Sequence, residues 1–250
     1  MPPLKPYDSS LEYSYAPGVF PSLELLRVRP QCALRLLLSE KAHGEGVEKL
    51  RALCREKEIR EEVADKALRR ISGKENCFAA LVFEKWQATL RADCPHVVLH
   101  HPMDEGNLGT IQRTLLGFGL KDIAVIRPAA DVFEPKVVRA TMGAVFSLRV
   151  KQYDSFEEYR AEFPAHALYP FMLDGSTPLE KAVKGRPPLY ALVFGNEGSG
   201  LPPEFGALGQ AVRIAHSQEI DSLNLSIAVG IGAYAFVYTG EEGSTWKPKK

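Results

Sequence analysis

Net charge is the first thing this 250-residue chain lacks: 31 basic side chains are balanced by 31 acidic ones. A polyanionic partner would therefore need a local basic patch, because the overall field gives no help. Cysteine is also sparse. Cys32, Cys54, Cys77 and Cys94 are scattered with no C-x-x-C pair, which argues against a structural zinc site and offers no disulfide framework. The six histidines show no ligand spacing, since adjacent His100 and His101 would point to opposite faces of a strand. No metal is expected. Long apolar runs are missing too. The longest, Leu223 to Tyr238, falls short of the roughly 20 residues that cross a bilayer and contains polar groups. Met1-Pro2-Pro3-Leu4-Lys5 carries no apolar signal core. A cytoplasmic, reducing location is the expectation.

What is present is an ordinary globular composition, 45% apolar and 25% charged, with length for one large or two modest domains. Residues 1 to about 20 are rich in proline and tyrosine and read as an irregular arm. Cys32 to Leu38 and Phe78 to Phe83 read as strands. Val47, Leu50, Leu53 and Cys54 recur at helical spacing, and a second amphipathic segment turns Val63, Ala67, Leu68 and Ile71 inward. Its outer face carries Lys66, Arg69, Arg70 and, just beyond, Lys74, which suit phosphate contact or a plain solvated face equally. Glu84 to Cys94 is polar and aperiodic and Pro95 closes it, so the boundary falls there. Residues 1–94 form one small α/β domain and 95–250 the second.

Beyond Pro95, strands and helices alternate. The strands are Val97–His100, Ile123–Ile126, Ala167–Met172, Tyr190–Phe194 and a short one ending at Ile214. The helices are Asn107–Phe118, Pro135–Thr141, Phe156–Phe163 and the apolar run ending at Tyr238, with Asp221 or Ser222 as N-cap. This order predicts an α/β fold with a mostly parallel sheet covered on both faces. Gly230 and Gly232 inside the last helix imply close packing there.

Ligands of parallel sheets bind beyond the carboxyl ends of the strands. Three loops stand there. The first, Asp104 to Arg113, offers Asn107 as a cap, Gly109 for close approach and Arg113 for an anion. A capped helix with a surface arginine is its plainer reading. The second, Gly195-Asn196-Glu197-Gly198-Ser199-Gly200, has its glycines in the wrong order for a dinucleotide fingerprint and lacks the Lys-Ser/Thr of a P-loop. It suits backbone contact with a planar ligand, or an ordinary turn into a helix at Pro202. The third centres on Ser222-Leu223-Asn224-Leu225-Ser226.

Taken together, Asn107-x-Gly109-x-x-x-Arg113, Val193 to Leu201, and Ile214 followed by Ser222 to Ser226 resemble the three ordered motifs of SpoU-type RNA methyltransferases of the SPOUT superfamily. Phe133 to Ala144 is similar to the family's stretch between the first two motifs. The first hundred residues look, more loosely, like a substrate-binding domain related to ribosomal protein L30e, although Glu75-Asn76-Cys77 stands where relatives often have a His-Gln-Gly-like turn. The resemblance implies a deep trefoil knot, which general connection rules nearly exclude, together with S-adenosylmethionine as cofactor, RNA as substrate and a homodimer that shares its active sites. It places Gly195, Ile214, Leu223 and Leu173 at the cofactor. It assigns Asn107, Arg113, Glu197, Ser222 and Asn224 to the chemistry. Ala215 departs from the proline that usually follows the isoleucine. The implied reaction is methyl transfer to a ribose 2′-hydroxyl, with ribosomal RNA favoured over transfer RNA. A non-catalytic RNA-binding knot protein and a base methyltransferase are the alternatives.

Overall fold

The apolar runs Val97–, Ile123– and Tyr190– do become the centre of a sheet, and their surroundings explain why. In the computed structural model, residues 4–72 and 77–239 are described. In chain order the first elements are β1 (Tyr13–Pro17), α1 (Val19–Val28), β2 (Ala33–Leu38), α2 (Glu45–Glu56), β3 (Glu61–Val63), α3 (Asp65–Ser72) and β4 (Ala79–Glu84). There follow β5 (His96–His100), α4 (Glu105–Gly117), β6 (Asp122–Ile126), α5 (Pro135–Ala140), β7 (Arg149–Tyr153), α6 (Phe156–Glu162) and β8 (Ala167–Pro170). The last are β9 (Thr177–Pro178), α7 (Leu179–Ala182), β10 (Tyr190–Phe194), β11 (Val212–Arg213) and α8 (Leu225–Tyr238). No described helix is long and apolar enough to cross a membrane.

The chain gathers into two units, one from the stretch up to Gln87 with Asp131–Ser147, the other from Ala88–Ala130 and the stretch from Leu148. The first unit holds a mixed sheet in the order β1-β4-β2-β3. Tyr13–Pro17, expected to be irregular, is a strand buried along its whole length and paired antiparallel with β4. Burial on both sides removed the alternation that marks a half-exposed strand. Val63, expected on the inner face of a helix, lies in β3 and is 61% exposed. Asp131–Ser147 joins this unit because Val138, Val145 and Phe146 complete its apolar core with Leu25, Leu36 and Phe83. Lys74, Glu75 and Asn76, named above as candidate RNA contacts, lie outside the described residues.

The second unit is built on a five-stranded sheet in the order β7-β6-β5-β10-β8, parallel throughout. Alternate residues Val98, Ala124, Ala191 and Val193 meet Tyr159, Phe163 and Phe205 on one face. Their neighbours Val97, Leu99, Ile123, Val125 and Leu192 are equally buried, so both faces are covered. α8 packs beside α4 and against β10. Gly232 makes that possible: a Cβ there would lie 2.7 Å from the Phe171 ring, which stacks on Phe194 at 4.3 Å.

Candidate active site

The site is assembled at the carboxyl ends of β5, β8 and β10. β5 ends at His100, and His101 then takes a left-handed backbone (φ 57°) that is uncommon for a residue with a side chain. The turn leads to Asp104, whose carboxylate accepts the Asn107 N–H at 2.7 Å and caps α4. Asn107 is therefore not the cap expected from the sequence. The helix starts two residues earlier, at Glu105, and the side chain of Asn107 is left for other work.

β10 ends at Phe194, and the glycine-rich loop turns back at once. Asn196 and Gly200 pair through two backbone hydrogen bonds of 3.1 and 3.0 Å. A Cβ on Gly195 would sit 2.1 Å from the carbonyl carbon of Gly200, so only glycine allows the fold-back. The Asn196 amide nitrogen donates to the His101 carbonyl at 2.8 Å, and its oxygen accepts the Gly198 N–H at 2.9 Å. Glu197 crosses to the first loop. Its carboxylate accepts the backbone N–H groups of Met103 and Asp104, both at 3.1 Å, and the amide of Asn107 at 3.5 Å.

The third loop enters through Asn224. Its Oδ1 accepts the Ser226 N–H at 2.8 Å, so Asn224 caps α8 in place of Asp221 or Ser222. With the cap at 224, Ser222 and Leu223 stay in the loop. The Asn224 amide nitrogen also donates to Asn107 Oδ1 at 3.0 Å. A chain of polar contacts, Glu197 to Asn107 to Asn224, thus joins all three loops.

These loops enclose a cavity of about 300 Å³. Leu173, Gly195, Glu197, Ile214, Ser222 and Leu223 all line it. Asn107, Arg113 and Asn224 do not: the two asparagines brace the loops from behind, and Arg113 projects to solvent from the exposed side of α4. Among the described residues no carboxylate pairs with Arg113, so its guanidinium is free for an anion. Asn196, Asp104 and His101, which no motif logic assigned a role, hold the frame. The Asp-x-x-Asn spacing at 104 and 107 was a readable signal for the cap, whereas nothing in sequence announces the turn at His101. The lining suits a nucleoside: Leu173 offers an apolar surface 61% exposed, backbone edges offer donors and acceptors, and Glu197 supplies negative charge for a cation.

The opposite end of the sheet carries another polar group. Asp122, 1% exposed, accepts the Arg149 guanidinium (Nε at 2.7 Å), the Arg91 N–H at 3.0 Å and the Cys94 thiol at 3.0 Å. Burial pulls its carboxyl up, but Arg149 and the other donors outweigh that and hold it below the usual range. Burial, with the carboxylate beside it, pushes the Cys94 thiol to about 11, which makes it a poor nucleophile. His96 is fully buried between the Arg91 carbonyl (2.7 Å) and the Tyr159 hydroxyl (3.0 Å), and burial drops its pKa to about 4. Cys94, His96 and Asp122 lie within 4.8 Å of one another, a grouping that suits a metal on paper. Every one of these donor atoms is already engaged within the protein, and Arg149 occupies the cation position.

Comparison with known proteins places the chain in a family. The SpoU rRNA Methylase family profile matches residues 95–234. This chain belongs to that family. An uncharacterized tRNA/rRNA methyltransferase of Synechocystis is 32% identical over 58% of this chain and 54% of its own. A 23S rRNA guanosine 2′-O-methyltransferase of Bacillus subtilis is 30% identical over 52% of this chain and 53% of its own. The matches thus span about half the length of these curated relatives. The crystal structure of an S-adenosylmethionine-bound rRNA methyltransferase from Sinorhizobium meliloti superposes with a TM-score of 0.75 at 26% identity, covering 90% of this chain and 87% of that one.

Proposed function

We propose that this SpoU-family protein transfers a methyl group from S-adenosylmethionine to a ribose 2′-hydroxyl in structured RNA, ribosomal RNA before transfer RNA. The observation that carries this reading is the Glu197–Asn107–Asn224 chain, which draws the three family motifs around one cavity. When bound, the cofactor supplies a methyl group already activated by its sulfonium. The protein's share is orientation and electrostatics. Gly195, Ile214 and Leu223 would present backbone groups to the adenosine half, with Leu173 against the base. Glu197 fixes the first loop, and with it the start of α4 that carries Arg113. Arg113 grips the phosphate next to the target ribose and stabilises the oxygen charge that develops as the hydroxyl proton leaves. Guanidinium holds its own proton too firmly to act as the base.

We read the protein as a cytoplasmic homodimer with a knotted C-terminal unit. Its described cysteines are free thiols, as a reducing compartment keeps them. Ile227, Ile231 and Tyr234 recur on one face of α8 and are 53%, 37% and 53% exposed, an apolar stripe suited to a second copy.

The test is incubation of ribosomal and transfer RNA with cofactor bearing a deuterated methyl, followed by nucleoside mass analysis. Labelled 2′-O-methylnucleosides are expected, and Arg113→Lys should lower kcat/KM by about a hundredfold because a single ammonium cannot replace a planar fork. Label on a base, or near-normal turnover by Arg113→Lys, would contradict the reading. Cofactor binding with no transfer would identify a non-catalytic binder.

A further inference from the structure

His216 lines the same cavity and is not among the motif residues that carry the family resemblance. It follows Ile214 and Ala215 in the third loop and is half-buried. Its Nδ1 lies 3.0 Å from the carbonyl oxygen of Ile214. A carbonyl can only accept, so Nδ1 carries the ring proton. Nε2 is then left as a lone-pair acceptor, and among the described residues no group donates to it.

The position of the ring narrows what could. Met172 N–H bonds the Val212 carbonyl at 2.9 Å, and Phe171 bridges to Val212, so Leu173 and Asp174 leave the sheet beside the strand that runs into Ile214 and His216. Leu173, Asp174, Ile214 and His216 all line the cavity, where Leu173 and Ile214 offer apolar surface to a base or sugar. Asp174 makes no hydrogen bond to His216 among the described residues, and a carboxylate oxygen is not the donor that Nε2 needs. A ligand donor can supply it. Adenosine carries two kinds, the exocyclic amine and the ribose hydroxyls.

We propose that His216 reads the cofactor: its Nε2 accepts a hydrogen bond from a donor on the adenosine half of the ligand. This makes His216 a specificity-determining residue, and it rests on the cofactor reading given above.

The experiment is calorimetric titration of the full chain with S-adenosylhomocysteine, its inosine analogue, in which a carbonyl replaces the amine, and its 2′-deoxy and 3′-deoxy analogues. Wild type, His216→Ala, His216→Phe and His216→Gln are compared. In wild type at least one donor deletion should weaken binding by about tenfold, as expected for one buried hydrogen bond. That penalty should shrink to within about twofold in His216→Ala and His216→Phe and largely survive in His216→Gln, whose amide oxygen still accepts. An amine-specific loss assigns the contact to the base and a hydroxyl-specific loss to the sugar. Long-range proton–nitrogen spectra should show His216 with its proton on Nδ1. Penalties that persist unchanged in His216→Ala and His216→Phe, or a proton on Nε2, overturn the proposal while leaving the cofactor reading intact. Failure of S-adenosylhomocysteine to bind wild type removes the cofactor reading and the proposal with it.

Discussion

The two ends of the parallel sheet in the second unit are both polar, yet they spend that polarity differently. At the amino end, Asp122, His96, Cys94 and Arg149 spend their hydrogen-bonding capacity on each other and on Arg91 and Tyr159. At the carboxyl end the polar side chains brace loops, and the loops leave a cavity edged by backbone groups. A density of titratable side chains is therefore a poor guide to a site. What distinguishes the proposed working end is capacity left unspent: an Arg113 with no carboxylate partner among the described residues, an exposed Leu173 and backbone edges at the cavity.

The sharpest way to break this contrast is Gly195→Ala. The added methyl cannot coexist with Gly200, so cofactor affinity should fall by at least about a hundredfold in calorimetry while circular dichroism keeps the native spectrum. At the amino end the effects should appear in stability alone. His96 has a folded pKa near 4, below its ordinary value of 6.5, because burial favours the neutral ring. Its contribution is complete above about pH 6.5 and is lost as pH falls toward 4, amounting to about 3 kcal/mol over the full range. Urea denaturation across those pH values should show that slope in wild type and a flatter one in His96→Phe. Asp122→Asn should lower stability by about 2 kcal/mol. That is less than the roughly 3–5 kcal/mol for a fully buried pair, because the Arg149 side chain is 30% exposed to water. Cofactor affinity should not change in that variant. The smallest effect belongs to the brace: a double-mutant cycle on Asn107→Ala and Asn224→Ala should give a coupling of about 1 kcal/mol in transition-state stabilisation, read from kcat/KM. No coupling would mean that the 3.0 Å contact does not tie the loops in solution.

Much of this is legible in the sequence. Strands buried on both faces, such as β5, β6 and β10, are continuous apolar runs and declare themselves. β7 did not: Arg-Val-Lys-Gln-Tyr lies at the sheet edge, where one neighbour and partial burial permit polar residues. α1 was hidden behind Pro21, which a first helical turn tolerates. Gly195, Ile214 and Leu223 could be placed together only because their ordered motifs resemble those of the SpoU family. The Asn107–Asn224 bond could not, since residues 117 positions apart share no periodicity. The same holds for the amino-end network, whose members belong to no local pattern.

The most direct measurement is hydrogen exchange followed by mass spectrometry, with and without S-adenosylmethionine. The account predicts slowed exchange in Phe194–Leu201 and in the stretch from Val212 to Leu225, and no change in peptides containing Arg91–His96 or Arg149. Protection concentrated at the amino-end peptides, or none anywhere at saturating cofactor, would contradict it.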